Sequence, residues 1–275
     1  MSELYRELGI SKQAVSQYAG RKARFEELLG GLLADAELLR REHPGCGVEK
    51  MYHTLKPGFI GRDRFVELFM GLGFRLKTFK NYRRTTFSVA SNYPNLIKGL
   101  EVATPCTVWQ SDITYIDVSG KFYYAVFLID VYTKKIVGYE VSDNMRVTAN
   151  IKALRMALKD HKAPHIHHSD RGSQYVCREY IKLLKQNGCR ISMADTAQDN
   201  AYAERINRTI KEEYLYYWKP KCFEQLGKST AKAVRHYNHK RKHNHLGNMS
   251  PVQFEKYWEN LETKPVMNIF NHQPK

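Results

Sequence analysis

Paired cysteines are missing from this chain. Its five cysteines, Cys46, Cys106, Cys177, Cys189 and Cys222, are odd in number and scattered, with no CxxC pair among them. That argues against a disulfide framework and for reduced thiols in a cytosol. No apolar run approaches the roughly 20 residues needed to span a bilayer. The N-terminus carries early charges and no apolar core segment, so it does not read as a secretory signal. Internal repeats and low-complexity tracts are absent too, which excludes a solenoid or an array. Acidic residues are scarce beside basic ones, 28 Asp and Glu against 44 Lys and Arg, for a net charge of +16.

The excess of positive charge is unevenly placed. Residues 1–100 hold 17 basic and 10 acidic side chains, residues 101–200 hold 13 and 11, and residues 201–275 hold 14 and 7. Two basic flanks thus enclose a nearly balanced centre. Flanks that grip a polyanion and present it to the centre would give this pattern, through phosphate contacts that add affinity without sequence information. A soluble basic protein is the plainer alternative. At 275 residues and 43% hydrophobic content, the chain can build one large domain or two to three small ones.

The centre holds the chemistry. Thr107–Val118 is rich in Val, Ile, Thr and Tyr and reads as a strand carrying Asp112. Lys121–Val131 follows a Ser-Gly turn as its hairpin partner, and Ile136–Val141 reads as a third strand. Thr148–Asp160 has helical spacing, with Thr148 as its cap. His165–His168 is a short strand ending at Asp170; a helix over Gln174–Asn187 follows, then a short strand at Ile191–Met193. A last helix, opened by Asp199 or Asn200, carries Glu204. Three carboxylates brought together repel and need cations. All-oxygen ligation with open positions suits Mg2+ or Mn2+. Two such ions about 3.5–4 Å apart can activate an attacking oxygen and stabilise a leaving one at a phosphodiester. The alternative is three unrelated surface or capping acids. Asp130, on the second strand, reads as structural, bonding a neighbouring turn.

Four motifs in order, WQSDITYI, HSDRGSQY, DNAYAERINRTIKEE and YNHKRKHNHLGNMSP, carry a resemblance over residues 40–257. The chain resembles bacterial insertion-sequence transposases of the DDE type, whose core is related to retroviral integrases. More narrowly, it is similar to the second-frame protein (OrfB) of two-frame insertion sequences. The resemblance implies an α/β, RNase H-like core with a mixed five-stranded sheet and helices, flanked by small helix-turn-helix domains. It implies Asp112, Asp170 and Glu204 as catalytic and metal-binding residues, Mg2+ or Mn2+ as cofactor with two ions per site, and DNA strand cleavage and transfer as the activity. It further implies element-end and target DNA as partners, an oligomer assembled on DNA, an OrfA or OrfA–OrfB fusion partner, and a cytoplasmic, nucleoid-associated location. Thirty-three residues separate Asp170 from Glu204, where the family commonly has 35; the shortage falls in SMADTAQDN, a loop, so the helix behind it stays free to place Glu204. An RNase H-like nuclease without joining, and a non-catalytic DNA-binding descendant of a transposase, are the rival readings.

The expected domains are a helical segment over 1–42, a second helix-turn-helix at 43–75, a basic linker at 76–103, the core at 104–216 and a basic tail at 217–275. In the first, a helix, a turn at Gly9 and a helix over Lys12–Tyr18 capped by Ser11 form a helix-turn-helix, with Lys12 and Gln13 towards DNA. Phe25–Glu42 reads as a separate leucine-faced helix. Val48–Leu55 and Arg62–Met70 follow, with Arg62 and Arg64 as DNA contacts. In the linker Lys77, Lys80, Arg83 and Arg84 alternate with Phe79 and Tyr82, which suits a nucleic-acid backbone. Arg171, Arg208 and Lys211 flank the acidic residues as expected DNA contacts, the last two on the face of Glu204, while Glu212 and Glu213 read as solvated. Beyond a short helix at Ala231–Asn238, Lys240, Arg241 and Lys242 read as substrate contacts; Pro251–Trp258, capped by Ser250, is the last helix. His165, His167 and His168 do not converge on a strand, so no zinc site follows from them. His239, His243 and His245 read as loop and DNA-contact residues.

Overall fold

The computed structural model describes residues 7, 9, 11–77 and 93–267. The chain forms two compact units, Met1–Lys77 and Thr78–Lys275. Lys80, Arg83 and Arg84 lie outside the described residues, as does most of the first helix of the expected N-terminal pair.

In the first unit, Ser11 caps helix α1 (Lys12–Glu42) by accepting the Ala14 N–H at 3.0 Å. The expected break between Tyr18 and Phe25 is absent, and α1 is continuous over 31 residues. Gly20 is the only weak helix former there, and a lone glycine costs about 1 kcal/mol, too little to end a helix. Of the leucines on the expected face, Leu32 is buried, whereas Leu28 and Leu38 are exposed. Helices α2 (Val48–Leu55) and α3 (Arg62–Gly71) close over α1, burying Ala36, Met51, Phe65 and Phe69 in one cluster.

The second unit is built on a five-stranded sheet. Its strands are β1 (Val108–Val118), β2 (Lys121–Asp130), β3 (Ile136–Ser142), β4 (Ile166–Ser169) and β5 (Arg190–Met193), in spatial order β3-β2-β1-β4-β5. The first three pair antiparallel; β4 and β5 run parallel to β1. Ser119 and Gly120, both at positive φ, make the two-residue turn from β1 to β2. Asp117 there accepts the Gly120 N–H.

Side chains alternate across β1 and sort the core into two layers. Trp109 and Ile113 face α4 (Val147–Asp160) and α5 (Arg178–Gln186). Ile116 and Val118 face α6 (Ala201–Ile210) and α7 (Phe223–His239). The helix expected from Gln174 starts only at Arg178, because Gln174 and Tyr175 are committed to the loop: Gln174 donates to the Met145 carbonyl, and Tyr175 is buried against β1. Helix α4 begins at Val147 rather than after a Thr148 cap. Helix α7 is about twice the expected length, since Leu226, Thr230 and Ala233 bury at helical spacing ahead of Val234 and Tyr237. The last helix, α8 (Pro251–Glu259), starts with a capping box between Ser250 and Gln253.

Candidate active site

Strand β1 and helix α6 run alongside each other, and their facing side chains form a ladder. Gln110, Asp112 and Thr114 lie on one face of β1. Opposite them, at helical spacing, stand Ala203, Asn207 and Lys211. Gln110 Oε1 accepts the Ala203 N–H, Asp112 Oδ2 accepts from Asn207 Nδ2 at 2.7 Å, and Thr114 Oγ1 accepts from Lys211 Nζ at 2.8 Å. The match is geometric. Two strand residues advance about 6.7 Å and four helix residues about 6 Å, so the rungs stay in step over three contacts.

Asp170 joins from the adjacent strand. β1 and β4 pair in parallel with Ser111 opposite Ser169, so the next residue on each, Asp112 and Asp170, stand side by side. The Gly172 N–H donates to Asp170 Oδ1 at 3.1 Å, and a Cβ at Gly172 would press on that oxygen at 3.0 Å. Glycine therefore keeps the turn tight around the carboxylate. On the opposite face, Ser111 Oγ and Tyr175 OH are 2.9 Å apart, tying β1 to the loop behind Asp170.

The three acids feel one another. Burial, then the charges of Asp170 and Glu204, push Asp112 up to about 8, against the Ile113 N–H and the Asn207 amide, which favour its anion. Burial and Asp170 also raise Glu204, opposed by Arg208 one turn along. Lys211 is shifted down by burial and by Arg208, against the pull of Asp112 and Glu212. Among the described residues no three His, Cys, Asp or Glu side chains converge tightly enough to enclose a metal ion. The acids stand within electrostatic reach, not as a closed cage. The donor set nevertheless fits a hard cation: every candidate ligand is an oxygen, and the buried Asn207 Oδ1, beside Asp112, has no hydrogen-bond partner.

Asp130 is structural, as its place on β2 suggested. Its Oδ1 accepts from the Thr133 N–H and hydroxyl, and its Oδ2 from the Cys106 N–H. His167 and His168 are buried on opposite faces of β4, bonded to Tyr180 and Ser192, and burial holds both neutral, at about 3 and about 4.

The basic residues divide. Lys12, Gln13, Arg62, Arg64, Lys77, Arg208 and Lys240 are exposed, with Arg62 paired to Asp63 and Arg64 over the Phe25 ring. Arg171 holds the Ala194 carbonyl and Asp195, and Lys242 donates to Gln253. Arg241 corrects the sequence expectation: only 6% of its side chain is exposed, and its Nε and Nη2 each meet the Glu213 carboxylate at 2.7 Å. It faces the interior rather than a substrate, and Glu213 is an ion-pair partner rather than a solvated acid. Glu213 lies in a π-turn (Lys211–Leu215) that extends α6, a feature often found beside functional sites.

Two matches to the integrase core domain family cover residues 103–198 and 187–251. The chain is 36% identical over 210 residues to an uncharacterized 31 kDa protein of insertion element IS600 from Shigella sonnei, covering 72% of this chain and 76% of that one. It is also 36% identical over 200 residues to the transposase for insertion sequence element IS904 from Lactococcus lactis, covering 68% of this chain and 77% of that one. The chain belongs to the insertion-sequence transposases. Its fold is accordingly the RNase H-like integrase core of the DDE transposases, and this transposase is a polynucleotidyl transferase. A chain of the simian T-cell lymphotropic virus intasome, at 16% identity and a TM-score of 0.51, shares the fold over 87% of this chain and 78% of its own. Among the described residues no helix is long and apolar enough to cross a membrane.

Gln110 and Asn207 are the site residues that sequence reasoning missed. Both lie inside the motifs quoted above, but as neutral amides they carry no chemical flag. The signal was available as spacing: 110, 112 and 114 share a strand face, and 203, 207 and 211 share a helix face.

Proposed function

We propose that Asp112, Asp170 and Glu204 are the catalytic carboxylates with which this transposase cuts and joins DNA. The observation that carries the reading is the ladder between β1 and α6. It fixes Asp112 on β1 and holds against it the helix that carries Glu204, while Asp170 directly follows the end of the parallel strand β4. Nothing in DNA binding alone calls for a carboxylate such as Asp170 whose charge helps to raise the proton affinity of two others, Asp112 and Glu204.

In the first step a water oxygen attacks the phosphorus at the element end, and the bond to the 3′ oxygen breaks to leave a free 3′-hydroxyl. In the second, that hydroxyl attacks a target phosphodiester in line and displaces a second 3′ oxygen. No covalent protein–DNA bond forms. Asp112, Asp170 and Glu204 would hold two divalent cations, Mg2+ or Mn2+, which when bound supply Lewis-acid stabilisation of the attacking and leaving oxygens. Asn207 fixes the rotamer of Asp112. Arg208, exposed one turn from Glu204, and Lys211, at the ladder's third rung, place positive charge where the phosphates approach. Lys12, Gln13, Arg62, Arg64, Lys77, Lys80, Arg83, Arg84, Lys240 and Lys242 supply further contacts to element-end or target DNA, and Arg171 braces the loop at Asp195. The domain limits given above, a homo-oligomer formed on DNA and an OrfA or OrfA–OrfB fusion partner belong to the same reading.

A strand-transfer assay with labelled element-end DNA, plasmid target and Mg2+ or Mn2+ tests it. Wild type should yield joined product, and Asp112→Asn, Asp170→Asn and Glu204→Gln should each lose about a hundredfold or more while still binding DNA. Full joining by any one of them would remove that residue from the catalytic set.

A further inference from the structure

A ten-residue helix such as α6 begins with N–H groups that have no partner within the helix. Its own cap residue does not serve them: Asn200 makes no side-chain cap bond, and instead donates Nδ2 to the Ser111 carbonyl at 3.0 Å. The cap comes from the sheet. Gln110 Oε1 accepts from the Tyr202 N–H at 3.1 Å and the Ala203 N–H at 3.3 Å, while Nε2 donates to the Asp199 carbonyl at 2.9 Å. Gln110 is wholly buried, so water cannot take over these three bonds.

We propose that Gln110 is a positioning residue for strand transfer, one that sets Glu204 relative to Asp112 by capping the first turn of α6 from β1. The proposal rests on the reading of those two acids as catalytic. Glu204 is the residue after Ala203, and Asp112 lies two residues beyond Gln110 on the same strand face, so one side chain indexes both elements. All of α6 has apolar anchors: Ala203, Ile206 and Ile210 pack into the cluster with Ile116 and Val118. Such apolar contacts resist separation of helix and sheet but are non-directional. The first turn, which bears Glu204, takes its direction from the Asn200 bond to Ser111 just ahead of it and from the hydrogen bonds that Gln110 makes within it.

The test uses the full-length chain with Gln110→Met, which keeps the shape without polar atoms, and Gln110→Glu, which keeps an acceptor oxygen. Glu204→Gln is run beside them. The readouts are strand-transfer kinetics, Mn2+ affinity by electron paramagnetic resonance without DNA, hydrogen exchange at the Tyr202 and Ala203 amides, and thermal melting. Gln110→Met should lower kcat and weaken Mn2+ binding, each by about 10- to 100-fold, leave KM for DNA unchanged and speed exchange at the two amides. Gln110→Glu should recover the amide protection and most of kcat. Wild-type kcat and Mn2+ affinity in Gln110→Met would overturn the proposal. So would equal losses in both variants that track a common fall in melting temperature, since that is a structural role alone. Failure of the underlying reading is seen separately: Glu204→Gln then joins DNA at the wild-type rate, and the proposal falls with it.

Discussion

Asp112 concentrates the electrostatic tension of the site. In the unfolded chain an aspartate titrates near 3.9; in the fold, burial and the charges of Asp170 and Glu204 push it up to about 8. The folded protein therefore holds a proton that the unfolded chain has released between those two values. Its contribution to stability is fully present below about pH 4, and it is lost as pH rises through about 8. In EDTA, the melting temperature of wild type should fall over that window by more than that of Asp112→Asn, and added Mg2+ should restore it most at the alkaline end. A wild-type melting curve no more sensitive to pH than the variant's would refute the assignment of the tension to Asp112. The three acids could be singled out in the sequence by the motifs around them, Asp112 within a strand, Asp170 just after one and Glu204 in a helix's first turn. Their partners were not. Whether Asn207 faces Asp112 depends on the crossing of β1 and α6, and no local propensity encodes that crossing.

Among the elements, strands were easier to read than helix ends. β1, β2 and β3 fall within one residue of their expected limits because β-branched and aromatic composition and a Ser-Gly turn are local signals. Helix limits depended on tertiary contacts: α1 runs through Gly20, α5 waits for Tyr175 to be buried, and α7 starts upstream where Leu226 meets the sheet. The basic run at Lys240–Lys242 shows the same limit. Its charge is plain in the sequence, but its middle residue turns inward, where Arg241 pairs with Glu213 and lies against the Tyr237 ring. That ion pair ties the π-turn behind α6 to the segment after α7. Breaking a buried pair costs about 3–5 kcal/mol because the remaining charge is left uncompensated. Arg241→Ala should therefore destabilise the protein by that amount in denaturant unfolding. Lys240→Ala, at an exposed position, should stay within about 0.5 kcal/mol. Arg241→Lys should recover only part of the loss, since an ammonium cannot form both bonds to the carboxylate. Near-wild-type stability in Arg241→Ala would return Arg241 to the pool of available DNA contacts.

For the whole molecule, charge and site are segregated. The flanking thirds hold 31 of the 44 basic residues, while the middle third holds Asp112 and Asp170 in a nearly neutral setting. This division was legible from composition alone. The division of the fold into Met1–Lys77 and Thr78–Lys275 was only partly so, because α1, expected as two helices, instead joins α2 and α3 in one cluster. A chain with one carboxylate set can act on one phosphodiester at a time, whereas insertion of an element joins two ends. On the proposed reading two subunits each supply a working site, which makes mixing decisive. If Asp112→Asn chains assemble with wild type at random, two-ended joining should fall as the square of the wild-type fraction, to about a quarter in an equal mixture. The total of joined ends should fall only in proportion, so singly joined product should rise to about half in that mixture. The two products separate on a gel with a circular plasmid target, as linear and nicked forms. A merely proportional fall of two-ended product, with no rise in the nicked form, would mean that one subunit serves both ends in turn, and the oligomer would then be needed for gripping DNA rather than for chemistry.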